Sequence, residues 1–455
     1  MSAPPTGSPP TGSPPARAPG RTAVITATAA ITPLADTAEE FGAALLAGRH
    51  VPAEPPDAPA GAAPAAMLTG FDPLRWAADT LPDGPATARR LPRLLRGASL
   101  PTATGTCVAA RVVADAGLPR DWDARGALVL AGGGLGLAHQ AEEHARTASG
   151  RGPLPSYALT HQDADVLGAA SELLGARAEG WTVGGASAAG TLALVLAART
   201  IEAGWADHCV VIAPAAELSA AEIAAYRRSG AMVPAAQQSG GTVCRPFDAA
   251  RSGFLYAQSA AAVVVESAAA AAARGRPALA VVAGHAQRLD GVRGTGPDAP
   301  GQAAVMRAAL SVAGLEPADI GYVNAHATGS VLGDATEARA LRTVFDGPSP
   351  PRVNSTKALA GHALTAAGLL GVVATVAQLR AGRLHPMPHL SEPVDPELGL
   401  VGPVAEPFVP APALATGYAF GGMNAAVVLT PPAPPARSAG PARPSTPRTP
   451  SEEQT

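Results

Sequence analysis

From residue 21 onward the chain alternates short apolar runs with longer mixed segments. RTAVITATAAITPL reads as an opening strand and turn, and ADTAEEFGAALLAG as a helix closed by glycine. Residues 51–66 form a loop rich in proline and alanine. ALVLAGGGLGLAHQAEEHARTA predicts a strand, a glycine turn and a helix, and WTVGGASAAGTLALVLAARTIEAG repeats that plan. DHCVVIAP and SAAAVVVES are further apolar strands. After the alanine run at 267–273 the pattern starts again. PALAVVAGHA is a strand, PGQAAVMRAALSVAGL a helix, IGYVNAHA a strand and TEARALRTVF a helix. ALTAAGLLGVVATVAQLRAG predicts a long buried helix, and YAFGGMNAAVVLT a strand containing a glycine turn. Strands and helices alternating in two successive halves predict an α/β protein whose sheets lie between helices. The expected halves are 21–273 and 274–430. They are flanked by Pro-rich segments, 1–20 and 431–455, which lack the apolar surface to fold and read as disordered tails.

Charge and composition remove several function classes. A net charge of −3 over 455 residues offers no basic field to nucleic acid and no cationic face to a membrane. The three cysteines, Cys107, Cys209 and Cys244, form no CxxC pair, which argues for a reducing compartment and against a disulfide framework or structural zinc. The N-terminal segment has no apolar signal core, and the longest apolar run, about 363–379, is small-residue-rich and reads as a core helix. The chain is therefore expected in the cytosol. The glycines after ALVLA do not make GxGxxG, which argues against a dinucleotide site. Lysine and arginine total 33, yet Lys357 is the single lysine, leaving 33 − 1 = 32 arginines. Against such a bias, a lone lysine marks either a chance surface survivor or a place that needs an ammonium.

Five side chains then carry candidate chemistry. Ser187 follows an apolar strand and two glycines, Gly184 and Gly185, and precedes an apolar helix. There it is either an ordinary N-cap or a nucleophile beside the free N–H groups of a helix N-terminus. Ala189 in place of the last glycine excludes the GxSxG hydrolase elbow. His326 lies in YVNAHATGS and His362 in NSTKALAGHALTAAG. Each alone reads as a hydrogen-bonded structural histidine or a catalyst. Lys357 precedes His362 by five residues, and Glu337 follows His326 by eleven.

Taken in order, these segments resemble the β-ketoacyl synthases of fatty-acid and polyketide assembly, over roughly residues 21–430. VGGASAAG resembles their nucleophile elbow, with Ser187 where the condensing enzymes carry cysteine. VNAHATGS resembles the first histidine motif, STKALAGHALTAAG the lysine and second histidine motif, and YAFGGMN the glycine-rich turn. CRPFDAARSGFLYAQSAAAVVVE resembles the stretch that closes the first half. The resemblance implies a thiolase fold, five-layered αβαβα, built from two similar halves and dimeric, as a homodimer or with another ketosynthase. It implies that His326 and His362 face the carbonyl of a malonyl thioester carried on the phosphopantetheine of an acyl carrier protein. No other cofactor and no metal is implied. It places backbone N–H groups of Ser187 and Phe420 in an oxyanion hole, Thr328 and Ser330 on the pantetheine arm, and Lys357 with Glu337 in support of the histidines.

Serine alters the expected reaction. A cysteine beside a helix N-terminus becomes a thiolate near neutral pH, whereas a serine hydroxyl needs a base, and its ester is a poorer acyl donor. Loading and chain elongation are thus disfavoured, while decarboxylation keeps its histidines. The wording VGGASAAG, RRSGAM and CRPFD is similar to the free-standing serine ketosynthases of polyketide β-branching, which convert malonyl-carrier to acetyl-carrier. A silent partner resembling a chain-length factor and a serine-dependent acyltransferase are the competing expectations. The chain departs from the family pattern at Ala257–Gln258–Ser259, where a buried carboxylate is missing, at Ala327 and at Met423.

Overall fold

Each half of the chain contributes five strands to one ten-stranded sheet. In the first half they are β1 (Ala23–Ile31), β2 (Gly126–Gly132), β3 (Glu179–Gly184), β4 (His208–Ala213) and β5 (Ala260–Ser267). In the second they are β6 (Ala280–Leu289), β7 (Tyr322–Asn324), β8 (Arg352–Asn354), β9 (Ala413–Ala419) and β10 (Met423–Thr430). The computed structural model describes residues 20–51, 65–82, 85–119, 121–234 and 244–432. The predicted tails and the 51–66 loop lie almost wholly outside the described residues.

The first half runs β3-β2-β4-β5-β1 and the second β8-β7-β9-β10-β6, the same order repeated. Directions repeat too. β2 is parallel to β3 and β4, and β5 is antiparallel to β4 and β1. Likewise β7 is parallel to β8 and β9, and β10 is antiparallel to β9 and β6. Within the sheet the halves join where β1 pairs antiparallel with β6, Val24 with Val281 and Ile25 with Ala280.

Alternation along the strands separates three cores. Val129 and Ala131, Cys209 and Val211, and Val427 and Leu429 face a central layer. Their neighbours Leu128, Leu130, Val210 and Ile212 face outward in the first half, and Ala426 and Val428 in the second. Helix α1 (Leu100–Ala116) covers the outer face of the first half. The central layer is α2 (Ala189–Glu202) against α5 (Ala367–Ala381). Outside the second half lie α3 (Ala299–Ala313) and α4 (Val331–Val344). These are the five layers of a thiolase fold. The apolar stretch Leu364–Ala381, mean hydropathy 1.5, is long enough to cross a membrane but is 78% buried as a core element.

The two central helices are an internal repeat, SAAGT opposite TAAGL. Each begins with a three-residue 3₁₀ turn, Ala186–Ala188 and Leu364–Ala366, whose first residue has positive φ: 44° at Ala186 and 51° at Leu364. They cross at glycine. A Cβ on Gly190 would stand 2.6 Å from Leu369 N, and one on Gly368 would stand 2.7 Å from Thr191 N. That close approach brings the chain segments before both helices, and so Ser187 and His362, to one place.

Candidate active site

Ser187 sits in the 3₁₀ turn that leads from β3 into α2. Neither that turn nor α2 has a side-chain cap. Its hydroxyl instead meets His362 Nε2 at 2.9 Å, so the N-cap reading fails and the functional one gains ground. Leu364 donates its N–H to His362 Nδ1 at 3.2 Å. A neutral ring accepting at Nδ1 carries its proton on Nε2, so Nε2–H donates to Ser187 Oγ. Burial, and then the charge of Lys357, hold both His362 and His326 well below the usual histidine range, which keeps them neutral. The two rings stand edge to face, 5.7 Å apart, and Phe254 meets the His362 ring at 5.0 Å.

The His362 backbone is clasped by the segment that departs from the family pattern. Its N–H donates to Leu255 O at 2.7 Å, and its carbonyl accepts from Ala257 N at 3.0 Å. Gln258 in turn pins residues 66–68, giving its N–H to Ala66 O at 2.8 Å and accepting from Leu68 N at 3.0 Å through Oε1. An amide fills the place of the missing carboxylate, and the segment still holds the histidine.

The His326 loop is fastened from two sides. Glu337, buried on α4, accepts from His326 N at 2.9 Å and Ala327 N at 2.6 Å, and Thr416 on β9 donates to the same carboxylate at 3.0 Å. Three residues earlier on α4, Asp334 accepts from Thr328 N at 3.0 Å, Gly329 N at 3.1 Å and Phe247 N at 2.8 Å. Burial pushes both carboxyls up, Asp334 to about 7. Lys357 Nζ donates to His326 O at 2.5 Å. Glu337 and Lys357 thus grip opposite ends of residue 326, the carboxylate on its N–H and the ammonium on its carbonyl. Burial lowers Lys357 to about 8, against the pull of Glu337. The lone lysine is 6% exposed, which disposes of the chance-surface reading.

Ser187, His326 and His362 share a cavity of about 450 Å³ with Thr328, Ser330 and Phe420. Thr328 Oγ1 donates to Ser330 Oγ at 3.1 Å. Phe420 is 42% exposed, and Val331 and Leu332 are exposed beside it. Every residue singled out in the sequence as catalytic, supporting or arm-binding therefore lies in or against one site. Asp334, Thr416 and Phe254 were not singled out. Asp334 carried a signal, its i,i+3 spacing from Glu337 on one helix face. Thr416 and Phe254 reach the site only through tertiary packing.

The β-ketoacyl synthase N-terminal domain model matches residues 21–271, and the C-terminal domain model matches 279–391. The chain belongs to the β-ketoacyl synthase family. Among its relatives is the polyketide biosynthesis malonyl-ACP decarboxylase PksF of Bacillus subtilis (strain 168), 35% identical over 276 residues. That match covers 60% of this chain and 66% of the relative, just under two thirds. A 3-oxoacyl-[acyl-carrier-protein] synthase 2 of Mycobacterium bovis is 31% identical over 71% of this chain and 78% of its own. Among solved structures, the ishigamide ketosynthase/chain length factor aligns with a TM-score of 0.77 at 27% identity, over 91% of this chain and all (100%) of that one. A β-ketoacyl synthase of Burkholderia phymatum STM815 aligns with a TM-score of 0.79 at 26% identity, over 90% and 99%.

Proposed function

We propose that this synthase-family chain is a non-elongating decarboxylase that converts malonyl-acyl carrier protein to acetyl-acyl carrier protein for polyketide β-branching. The observation that carries this reading is the pairing of two neutral histidines with a serine whose hydroxyl accepts a hydrogen bond from His362. The thioester enters on its pantetheine arm past Thr328 and Ser330. His326 and His362 donate N–H bonds to its carbonyl oxygen. As the carboxylate leaves, the charge collecting on that oxygen is met by donors already in place, which lowers the barrier. Lys357 and Glu337 hold the His326 peptide so that its ring stays aimed. The N–H groups of Ser187 and Phe420 are the oxyanion hole of the acyl-loading site in this family, a step for which this chain has no thiol. PksF, a malonyl-ACP decarboxylase by name, supports the substrate.

The acyltransferase reading meets a specific obstacle. A base for Ser187 needs a lone pair on Nε2, and Leu364 N–H on Nδ1 puts the proton there. The silent-partner reading draws on the chain-length-factor likeness. Against it stand the retained histidines and the buried lysine. As partners we propose an acyl carrier protein and a second copy of this chain. Three free, buried cysteines suit the cytosol.

The purified protein, mixed with malonyl-loaded carrier, decides among the three by the carrier's mass. Conversion to acetyl-carrier by this chain alone is expected. No conversion, together with tight association to a cysteine ketosynthase, would establish the silent partner, and an adduct on Ser187 the acyltransferase.

A further inference from the structure

Decarboxylation without condensation leaves a requirement that a condensing enzyme does not have. The enolate has no acyl group to attack, so its C2 must take a proton, and something must supply it. His326 and His362 are committed to the enolate oxygen. We infer that the Ser187 hydroxyl delivers this proton, taking the place in space and in the reaction where a condensing enzyme presents its acyl electrophile. The inference rests on the decarboxylase reading above.

Two observations, and the substrate pose they allow, carry it. Ser187 Oγ receives the Nε2–H of His362 at 2.9 Å, so its own hydrogen is not used in that bond and is available to another acceptor. In the proposed pose, a substrate carbonyl oxygen that shares this N–H would lie beside Oγ, with C2 bonded to the carbonyl carbon. Finally, Ser187 lines the same cavity as both histidines, at the N-terminal end of the 14-residue α2, where free N–H groups favour the alkoxide that proton donation leaves behind.

The step balances without any outside reagent. The bond from C2 to the carboxyl breaks, and its electron pair becomes the enolate. The enolate carbon takes the hydrogen from Oγ and becomes the acetyl methyl. The alkoxide, held by Nε2–H and the backbone, takes a proton from a cavity water. The hydroxide so formed adds to carbon dioxide as bicarbonate. Serine suits this role better than cysteine, because a thiolate is too weak a base to need quick reprotonation and would remain available for acylation.

The test is the isotopic make-up of the product. Malonyl-carrier is turned over in mixed H₂O and D₂O, and the hydrogen-to-deuterium ratio in the acetyl group is read by mass. Ser187→Ala should slow release of carbon dioxide by less than about tenfold but lose the wild-type ratio, because water becomes the donor. Ser187→Thr, which keeps a hydroxyl, should retain that ratio. So should Tyr418→Phe, which removes a buried hydroxyl lining the same cavity. A structural role for Ser187 would change the rate and leave the ratio alone. Wild-type turnover with an unaltered ratio in Ser187→Ala overturns the proton-donor role only. Absence of acetyl-carrier from the wild type overturns the decarboxylase reading itself.

Discussion

Lys357 acts on a backbone oxygen, and this sets what its replacement should do. A guanidinium is broader than an ammonium and spreads its donors over a planar fork. Nothing about the buried approach to His326 O favours that shape. Lys357→Arg should therefore lower the rate of carbon dioxide release although the charge remains. Burial brings the lysine to about 8, so the wild-type rate should fall as pH rises through about 8 and the ammonium is lost. Arg titrates far higher, so in Lys357→Arg this alkaline fall should vanish even as the plateau drops. A rate profile against pH for both proteins checks the pair of expectations. The histidines are donors and should matter most: His326→Ala or His362→Ala should cost about 10²–10³-fold, the scale of losing one preorganised donor. Glu337→Gln keeps size but replaces one of the two acceptor oxygens with an NH₂ group, which leaves one of the two N–H donors facing a donor at about 1–3 kcal/mol. The loop should shift, and the rate should fall while the pantetheine contacts proposed for Thr328 and Ser330 hold substrate binding near its wild-type strength. A split between kcat and KM measures this. At this scale the sequence was highly legible. Ser187, His326, Lys357 and His362 each stand in a distinctive run of letters. Thr416 does not, because its partner Glu337 lies 79 residues away and only the fold brings them together.

Among elements, the crossing of α2 and α5 decides whether the site exists at all. Gly190 and Gly368 face backbone atoms of the opposite helix, and backbone cannot rotate aside as a side chain can. Adding one methyl at either position forces the helices apart. Gly190→Ala or Gly368→Ala should destabilise the protein by about 1–3 kcal/mol, the usual cost of overpacking a filled core. The same change should weaken the Ser187–His362 contact, since each helix carries one partner at its start. Denaturant midpoints and carbon dioxide release, measured on the same samples, should fall together. The repeat SAAGT and TAAGL was present in the sequence, and both segments read as helices, but their contact needs three dimensions. Other elements were hidden for definite reasons. α1 was not predicted because it is buried nearly all round and shows no amphipathic stripe. YAFGGMNAAVVLT, read as a strand containing a glycine turn, is the end of β9 and the whole of β10, folded back through Gly421 and Gly422 at φ 86° and 73°. α4 begins at Val331, five residues before the predicted TEARALRTVF, and that extra length places Asp334 under the loop.

At the scale of the whole molecule, the duplicated sheet ends in one edge that needs explaining. β3 pairs with β2 on one side, and among the described residues no strand pairs with its other side. Its residues are exposed or only partly buried, from Glu179 to Gly184, whereas β2, β4 and β5 are buried throughout. Glu179 is its only charge, and it carries no proline or bulge of the kind that protects a free edge. An edge so unguarded is a template for another strand, and Ser187 lies just beyond it, in the turn that the strand feeds. A second copy docked there would brace that turn from outside. The expected outcome is a homodimer in solution by sedimentation. Thr182→Arg, which sets like charges against each other near the centre of the edge, should yield monomers and slow carbon dioxide release. The same experiment bears on function. If the wild-type chain is monomeric alone, and joins a cysteine ketosynthase through this edge while remaining unable to decarboxylate malonyl-carrier, then β3 serves a heterodimer and the chain is a silent partner. If it pairs with itself and turns over substrate, the edge completes an enzyme.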